Sequence, residues 1–215
     1  LHAIGTALAH HPLITGGSGV ARGLPGNFRR AGLLGEAQAA SVLPVLEGFG
    51  AVVSGSCSLA TNGQVEQWRK ERPSFAIDPL QLANGQDLVR AALEWAQGLL
   101  AAGPVLIYAS AAADSVNRAQ QALGVEAAGQ LVEEALSAIA VGLYNLGVRK
   151  LVVAGGETSG AVVKALGIKA LRIGTTIDPG VPWTLGLRDD PLALALKSGN
   201  FGSVDFFEKA LACAP

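Results

Sequence analysis

The sequence predicts an α/β fold with a mostly parallel or mixed sheet and helices on both faces, giving three layers. Short apolar segments alternate along the chain with segments of helical periodicity. The strand-like segments are nearly all apolar, which is typical of strands buried on both faces of a sheet. Glycine-rich turns follow several of them, at the carboxyl ends of strands where ligands of such sheets bind. These turns are therefore the first candidates for a binding site.

The N-terminal part of the chain has the weakest pattern. Residues 1–11 are helix-like, and residues 12–24 (PLITGGSGVARGL) indicate a short strand, a glycine and hydroxyl turn and the start of a helix. Residues 26–44 have mixed polarity and weak periodicity, which is typical of a connection. Because the chain opens inside a helix-like segment and contains no Met, we expect it to be part of a longer protein.

Strands and helices alternate regularly from Phe49 onward. Short apolar segments predict strands at 50–54, 74–78, 104–108, 150–156, 170–178 and 192–199. Apolar residues at helical spacing predict helices at 62–72, 85–103, 129–148, 158–168 and 203–212. Thr61 or Asn62 is the predicted N-cap of the first of these helices, and Ser203 is that of the last.

The composition excludes several classes of protein. Of the 215 residues, 50% are hydrophobic and 15% are charged, so the chain can build a sizeable core and is not disordered. The net charge of −1 makes neither nucleic acid nor an anionic membrane an expected partner. The longest uncharged run, between Glu94 and Asp114, contains Gly103-Pro104, so a helix end and a buried strand explain it better than a membrane span.

The cysteine and histidine residues indicate no metal site. Cys57 and Cys213 are far apart in the sequence, so we expect no disulfide framework and a reducing, cytoplasmic location. The histidines all lie within the first dozen residues, without metal-ligand spacing, and are expected at the surface: His2, His10 and His11.

The segment GGETSG is the best candidate for a binding loop. Gly155 and Gly156 permit positive φ and the close approach of a ligand. The following helix offers free N–H groups and the positive end of its dipole, and Thr158 and Ser159 add hydroxyl groups. The segment has neither a P-loop ending nor a GxGxxG pattern. From these residues alone, a phosphate site and a plain capped turn are both open.

The segment SGSCS offers similar chemistry with more hydroxyl groups. Ser54, Ser56 and Ser58 alternate along it, so it presents two chemical faces. Its backbone N–H groups could contact an anion or a ribose. A solvated, serine-rich loop is the alternative interpretation.

The segment KSGNFGS lies between the last predicted strand and the last helix. Its two glycines, Gly199 and Gly202, bracket a polar and an aromatic residue, and Phe201 could cover a flat base. Lys197 could pair with a phosphate, although a surface charge at a strand end is the favoured interpretation.

The segment TTIDPGVPW places an acid directly before Pro-Gly. Asp178 could hold a metal, but the favoured interpretation is that it accepts N–H groups of its own turn. Trp183 is expected to pack rather than to stack on a ligand.

Taken together, these segments resemble a known family. SGSCS, AGGETSGAVVKALGI, IDPGVPW and LALKSGNFGSVDFFEKAL closely resemble the C-terminal nucleotide-binding domain of the four-carbon acid sugar kinases, which include the 3-oxo-tetronate kinases. The resemblance assigns residues 49–215 to that domain, residues 1–34 to the tail of the family's N-terminal sugar-binding domain, and residues 35–48 to a linker. The Asp-rich motif of that N-terminal domain is absent from this sequence.

The resemblance implies ATP-dependent phosphorylation of a hydroxyl group on a four-carbon sugar acid, with Mg²⁺ accompanying the nucleotide. Most of the predicted ATP contacts come from the family, and the contacts of Lys197 and Gly202 are added on physical grounds. The predicted ATP-binding residues are Ser54, Ser56, Gly155, Gly156, Glu157, Thr158, Ser159, Lys197, Gly199 and Gly202.

The resemblance also implies that nucleotide binding and sugar-acid binding belong to different domains. The sugar acid and the hydroxyl-activating base are expected in the N-terminal domain, so this chain alone is expected to be inactive, and its catalytic residues stay open. Glu157 is expected either to bind Mg²⁺, directly or through water, or to cap its own loop. A homodimer is one option for the oligomeric state.

Two other classes of protein are alternatives to a kinase. A non-catalytic module that binds nucleotides or sugar acids stays open, because the acidic N-terminal motif is absent. A nicotinamide-dependent oxidoreductase fits the α/β pattern, but the sequence lacks GxGxxG followed by an acid about twenty residues on.

Overall fold

The computed structural model describes residues 1–35, 42–109 and 113–215, and the chain forms two compact units, Leu1–Ala40 and Ser41–Pro215. The first unit contains α1 (His2–Ala7), a 3₁₀ helix (Ser18–Gly23) and α2 (Leu24–Arg30). The strand predicted within residues 12–24 is wrong: Leu13 is exposed, and no strand is found in the described part of this unit. The assignment of residues 1–34 to a sugar-binding domain stays a prediction.

The second unit is built on a seven-stranded mixed sheet with the strand order β2-β3-β1-β4-β7-β6-β5. Neighbours from β2 to β7 are parallel, whereas β6 is antiparallel to both β7 and β5. The strands are β1 (Phe49–Ser54), β2 (Ser74–Ala76), β3 (Val105–Tyr108), β4 (Val148–Ala154), β5 (Leu171–Asp178), β6 (Val181–Gly186) and β7 (Leu192–Lys197). The helices are α3 (Leu59–Arg69), α4 (Pro79–Ala83), α5 (Leu88–Gln97), α6 (Ala113–Leu123), α7 (Val125–Asn145), α8 (Gly156–Ala165) and α9 (Phe206–Ala212).

The sheet is covered on both faces, as the apolar strands predict. Val53 of β1 belongs to a buried cluster that includes residues of α5, α7 and α8. Its neighbour Val52 belongs to a second cluster, which contains Trp68 of α3 and Phe206 of α9. Successive side chains of a strand point to opposite faces, so the two clusters are the two interfaces of a three-layer structure. The predicted α/β class is therefore confirmed.

The predicted helix caps are wrong at two positions. Ser58, rather than Thr61 or Asn62, is the N-cap of α3, and its Oγ accepts a hydrogen bond of 3.2 Å from the N–H of Thr61. The helix α9 begins only at Phe206, with Asp205 as its N-cap. Capping residues are common in serine-rich turns, so the sequence pattern alone does not select among neighbouring hydroxyl groups.

The surface of the protein has few distinctive features. Among the described residues, no helix is long and apolar enough to cross a bilayer. The thiols of Cys57 and Cys213 are free and exposed. The three histidines are also exposed, and no group of three or more potential metal ligands occurs in the described ranges.

Candidate functional site

The three glycine-rich turns meet at one edge of the sheet. They follow β1, β4 and β7, which are adjacent parallel strands, so their carboxyl ends lie side by side. Ser54 at the end of β1 is paired with Ala154 of β4, which is in turn paired with Lys197 of β7. The sequence order separates these turns by many residues, and the parallel topology alone brings them together.

A cavity of about 700 Å³ opens at this edge. Its walls come from the turns after β1 and β4, from the ends of β2 and β3, and from α4, α6 and α7. The predicted site residues in the cavity wall are Ser56, Gly155, Gly156, Glu157 and Thr158. A volume of this size is within the range of pockets that hold small molecules and cofactors.

Two glycines of the turn after β4 line the cavity, and they differ in the space around their Cβ positions. Gly155 has φ +128, and a Cβ there would lie 2.8 Å from Thr158 Oγ1 and 3.3 Å from the Ser56 nitrogen. A Cβ on Gly156, by contrast, would meet nothing within 4 Å. The helix α8 begins at Gly156, so its first N–H groups, which have no intrahelical partners, lie in this wall. This arrangement can bind an anion through backbone groups.

The hydroxyl groups of Thr158 and Ser159 differ in position. Thr158 is buried and lines the cavity. Ser159 is outside the cavity wall, and its Oγ is buried without a hydrogen-bond partner among the described residues. Only the first of the two is therefore placed beside a potential ligand, and a contact of the Ser159 hydroxyl with ATP stays a prediction.

Two carboxylates face the same cavity. Glu157 is exposed in the first turn of α8, and Glu133 lies on α7. Burial is the main cause that raises the pKa of Glu133, and the nearby charge of Glu157 raises it further. The N-cap of α8 is Gly155, which has no side chain to cap the helix, and the two roles expected of Glu157, binding Mg²⁺ or capping its own loop, stay predictions.

The turn after β1 is fitted closely to the turn after β4. Ser54 is fully buried and outside the cavity wall, whereas Ser56 lies in the wall and its Oγ accepts a hydrogen bond of 3.3 Å from the Ser58 N–H. A Cβ on Gly55 would lie 2.3 Å from Thr158 Oγ1. Gly55 is thus a site residue that the sequence analysis missed, although its place between two serines is the signal that could have found it.

Lys197 is not a surface charge, which corrects the favoured interpretation of the sequence. Its side chain is only 1% exposed, and its Nζ donates hydrogen bonds to Thr61 Oγ1 at 2.8 Å and to the carbonyls of Ser198 and Gly199 at 3.2 and 3.1 Å. Burial lowers the pKa of this ammonium to about 8. Lys197 lies outside the cavity wall, so its visible role is to hold the turn after β7.

The helix α3 holds the rest of this turn. The Gly199 carbonyl also accepts hydrogen bonds from Ser58 Oγ at 2.6 Å and Thr61 Oγ1 at 2.8 Å. A Cβ on Gly199 would lie 2.3 Å from Ser56 Oγ, so this glycine packs against the first turn. Gln64 Nε2 donates to three successive carbonyls, those of Phe201, Gly202 and Ser203, at 3.1, 3.2 and 2.9 Å.

Gly202 and Phe201, which were also predicted to contact the nucleotide, lie in the turn after β7. Gly202 has φ +85, and a Cβ there would lie 2.6 Å from the ring of Phe206. A Cβ on Gly180 would lie 2.9 Å from the ring of Phe201, so that ring packs on the β5–β6 turn. Gly199, Phe201 and Gly202 are absent from the cavity wall, and their contact with a nucleotide stays a prediction.

Asp178 anchors this turn rather than its own. Its Oδ2 accepts hydrogen bonds from the N–H and Oγ of Ser203 at 2.9 and 3.1 Å, and its Oδ1 accepts one from Lys209 Nζ. The Lys209 hydrogen bond is the main cause that lowers the pKa of Asp178. Trp183 packs as expected, with its Nε1 donating to the Ala210 carbonyl at 3.0 Å.

The sequence analysis missed the opposite wall of the cavity. It consists of residues at the end of β2 and the start of α4, together with residues of α6 and α7. Arg118 of α6 brings a positive charge to this wall, which also contains Asp78. These residues carry no motif, and the sequence pattern predicted no helix at the positions of α4 and α6. Gly129, inside α7, is the one signal that the pattern offered.

The sequence matches the family described as "Nucleotide-binding C-terminal domain" over residues 51–207. The chain therefore belongs to this family, and all three turns lie within the matched range.

Similar proteins support the same assignment. The chain is 61% identical over 211 residues to a 3-oxo-tetronate kinase of Burkholderia multivorans, covering 98% of this chain and 49% of that protein. It is 57% identical over 212 residues to a 3-oxo-tetronate kinase of Cupriavidus necator, with the same coverage of 98% and 49%. A crystal structure of a Haemophilus influenzae protein matches with a TM-score of 0.81 at 35% identity, covering 99% of this chain and 50% of the other.

The chain spans about half the length of the curated relatives it matches. The resemblance to four-carbon acid sugar kinases seen in the sequence is confirmed by these matches, and nucleotide binding follows from the family.

Proposed function

We propose that the chain is the ATP-binding part of a kinase that phosphorylates a hydroxyl group of a four-carbon sugar acid, 3-oxo-tetronate or a similar compound. The observation that carries this proposal is the cavity wall formed by Gly155, Gly156 and the start of α8, with space for a ligand at Gly156. The names of the similar full-length proteins support the reaction and the substrate class.

In this proposal the turn after β4 holds the phosphates. The first N–H groups of α8 donate to phosphate oxygens, and the positive end of the helix dipole favours the negative charge. Gly156 allows the phosphate to approach the backbone, because nothing replaces the missing side chain. Phosphoryl transfer depends mostly on such positioning and on charge neutralisation.

Mg²⁺ fits the acidic side of this cavity. Glu157 is exposed there, and the pKa of Glu133 is raised partly by the charge of Glu157, so a cation would relieve their repulsion. We assign Glu157 to the metal that accompanies ATP, either directly or through water. The ion would neutralise charge on the transferred phosphate.

The turns after β1 and β7 complete the site in this proposal. Ser56 contacts the nucleotide from the cavity wall, whereas Ser54, Gly199, Gly202 and Lys197 support that wall from outside the cavity. The sugar acid and the base that activates its hydroxyl belong to the N-terminal domain of the whole protein, so the chain alone is inactive. We further propose a cytoplasmic location and a homodimer as one possible assembly.

Calorimetric titration with ATP and Mg²⁺ tests the nucleotide site. We expect saturable binding, and no heat of binding up to millimolar nucleotide would exclude the proposal. A coupled kinase assay with 3-oxo-tetronate, with and without the N-terminal half of a similar kinase, tests the reaction. Nucleotide binding without phosphorylation in either mixture would favour a non-catalytic binding module.

A further inference from the structure

The cavity has two chemically different halves. The glycine half consists of Gly55, Ser56, Gly155 and Gly156 in the turns after β1 and β4. The apolar half lies on the side of β2, which is separated from β1 by β3. Its apolar residues are Ile77, Pro79, Leu80, Val125, Ala128 and Val132, and Asp78, Arg118 and Gln120 line the cavity beside them. The wall therefore changes, within one cavity, from glycine backbone to a surface that is largely, but not wholly, apolar.

Gly129 opens the apolar half. It lies inside α7, next to Ala128 and one turn before Val132, and it lines the cavity. A Cβ on Gly129 would meet nothing within 4 Å. Glycine inside a helix is unfavourable relative to alanine, and no contact in the described part of the chain requires it here. The missing side chain instead enlarges the cavity.

The other internal glycine of α7 shows the contrast. A Cβ on Gly142 would lie 2.3 Å from Leu93 Cδ1, so close packing of α7 on α5 explains that glycine. Gly129 has no such neighbour, and in this it matches Gly156 in the glycine half of the same cavity. The two cavity glycines with open Cβ positions thus lie one in each half.

We propose that the apolar half holds the base and ribose of the nucleotide, and that Gly129 keeps open the space for them. This inference rests on the proposed function and adds the orientation of the ligand. A nucleotide has a flat, weakly polar base at one end and a charged triphosphate at the other, and each end then meets the matching half of the cavity. Residues of α4 and α7, rather than a sequence motif, determine which base is accepted.

The test compares two ligands on the Gly129→Leu variant of the full 215-residue chain. Calorimetric titration measures the affinities for Mg²⁺-ATP and for inorganic tripolyphosphate with Mg²⁺. In the unmodified chain we expect ATP to bind more tightly than tripolyphosphate by about tenfold or more, which is about 1.4 kcal/mol. In the variant, leucine fills the apolar half, so ATP affinity falls by about tenfold while tripolyphosphate affinity is retained.

Gly63→Leu is the matched control. Gly63 is also the fifth residue of its helix, and a Cβ there also meets nothing within 4 Å, but it lies outside the cavity. Both substitutions replace a helical glycine by a better helix former, so both variants should fold, which circular dichroism verifies. The control should bind both ligands like the unmodified chain.

Three outcomes overturn the inference. Undiminished ATP affinity of folded Gly129→Leu would show that the apolar half is not occupied by the nucleotide. Equal losses for ATP and tripolyphosphate would show that the phosphates lie there instead. Equal affinities of the unmodified chain for the two ligands would show that the base makes no contribution. Absence of ATP binding to the unmodified chain would instead overturn the proposed function itself.

Discussion

The turn after β4 and the turn after β7 follow adjacent parallel strands and are both rich in glycine, but their backbones are occupied differently. Gly156 in the first turn is exposed beside a cavity and has open space at its Cβ position. In the second turn, the carbonyls of Gly199 and of residues 201–203 are all bound by side chains. These two glycine-rich turns therefore differ in function. The backbone after β4 is open to a ligand, whereas the backbone after β7 is bound by side chains of the protein.

Comparison of the two turns separates glycines that internal packing requires from glycines that leave space for a ligand. Gly199 and Gly202 would clash with Ser56 and Phe206 if they carried a Cβ, so internal packing is sufficient to explain them. Gly156 and Gly129 would clash with nothing, as would Gly63 and Gly160, but of these four only Gly156 and Gly129 line the cavity, where a missing side chain leaves space for a ligand. The following substitutions test this division, in order of decreasing effect on binding or stability.

Gly156→Val should have the largest effect on nucleotide binding. Its φ is not positive and its Cβ position is open, so the variant should fold, whereas the new side chain blocks the approach of the phosphate. We expect a loss of affinity for Mg²⁺-ATP of about a hundredfold, about 2.7 kcal/mol, by calorimetry. Gly160→Val is the control, because Gly160 lies in the same helix with an open Cβ position outside the cavity. A folded Gly156→Val variant with normal affinity would refute the assignment of this turn.

Gln64→Leu should mainly affect stability. The substitution leaves the carbonyls of Phe201, Gly202 and Ser203, whose hydrogen bonds are partly buried, without their shared donor. The expected loss in the free energy of unfolding is about 1–3 kcal/mol, measured by urea denaturation. Gln67→Leu on the same helix is the control, because Gln67 bonds only to the Lys70 side chain among the described contacts. Unchanged stability of Gln64→Leu would show that the turn after β7 is not held by α3.

The pH dependence of stability reports on Lys197 in the same turn. Its folded pKa of about 8 lies below the ordinary value of 10.5, so between these values the unfolded state binds more protons. The contribution of Lys197 to the free energy of unfolding therefore rises as pH increases from about 8 to 10.5. We expect this rise in urea denaturation series, and its absence in Lys197→Met. An identical pH profile of the variant would contradict the burial of the ammonium.

Ser159→Ala should have the smallest effect. The Ser159 hydroxyl oxygen is buried without a partner in the described part of the chain and lies outside the cavity, so its removal deletes no visible hydrogen bond. We expect the affinity for Mg²⁺-ATP to change by less than about twofold, or about 0.4 kcal/mol, by calorimetry. A tenfold loss of affinity for Mg²⁺-ATP would show that the Ser159 hydroxyl contacts the ligand and that the site extends beyond the cavity wall.

Much of the site could be predicted because it depends on local patterns. Gly155 and Gly156 stand directly after a continuous apolar strand, so their position at a sheet edge follows from chain order and topology rules. Lys197 could not be interpreted correctly, because its burial depends on α3, whose residues are far away in the sequence. The opposite cavity wall was missed for the same reason: Val132 and Ile77 look like core residues of any amphipathic helix or strand.

Periodicity and short motifs were sufficient to predict the α/β class, most of the strands and helices, the turns at the strand ends and the family, but not β6, α4 or α6. Tertiary structure alone decided that Asp178 anchors Ser203, that Gln64 holds three carbonyls and that Gly129 faces a cavity. The physical reason is that hydrogen-bond partners and cavity walls are chosen by strand order and helix packing, which bring together residues that no local pattern connects.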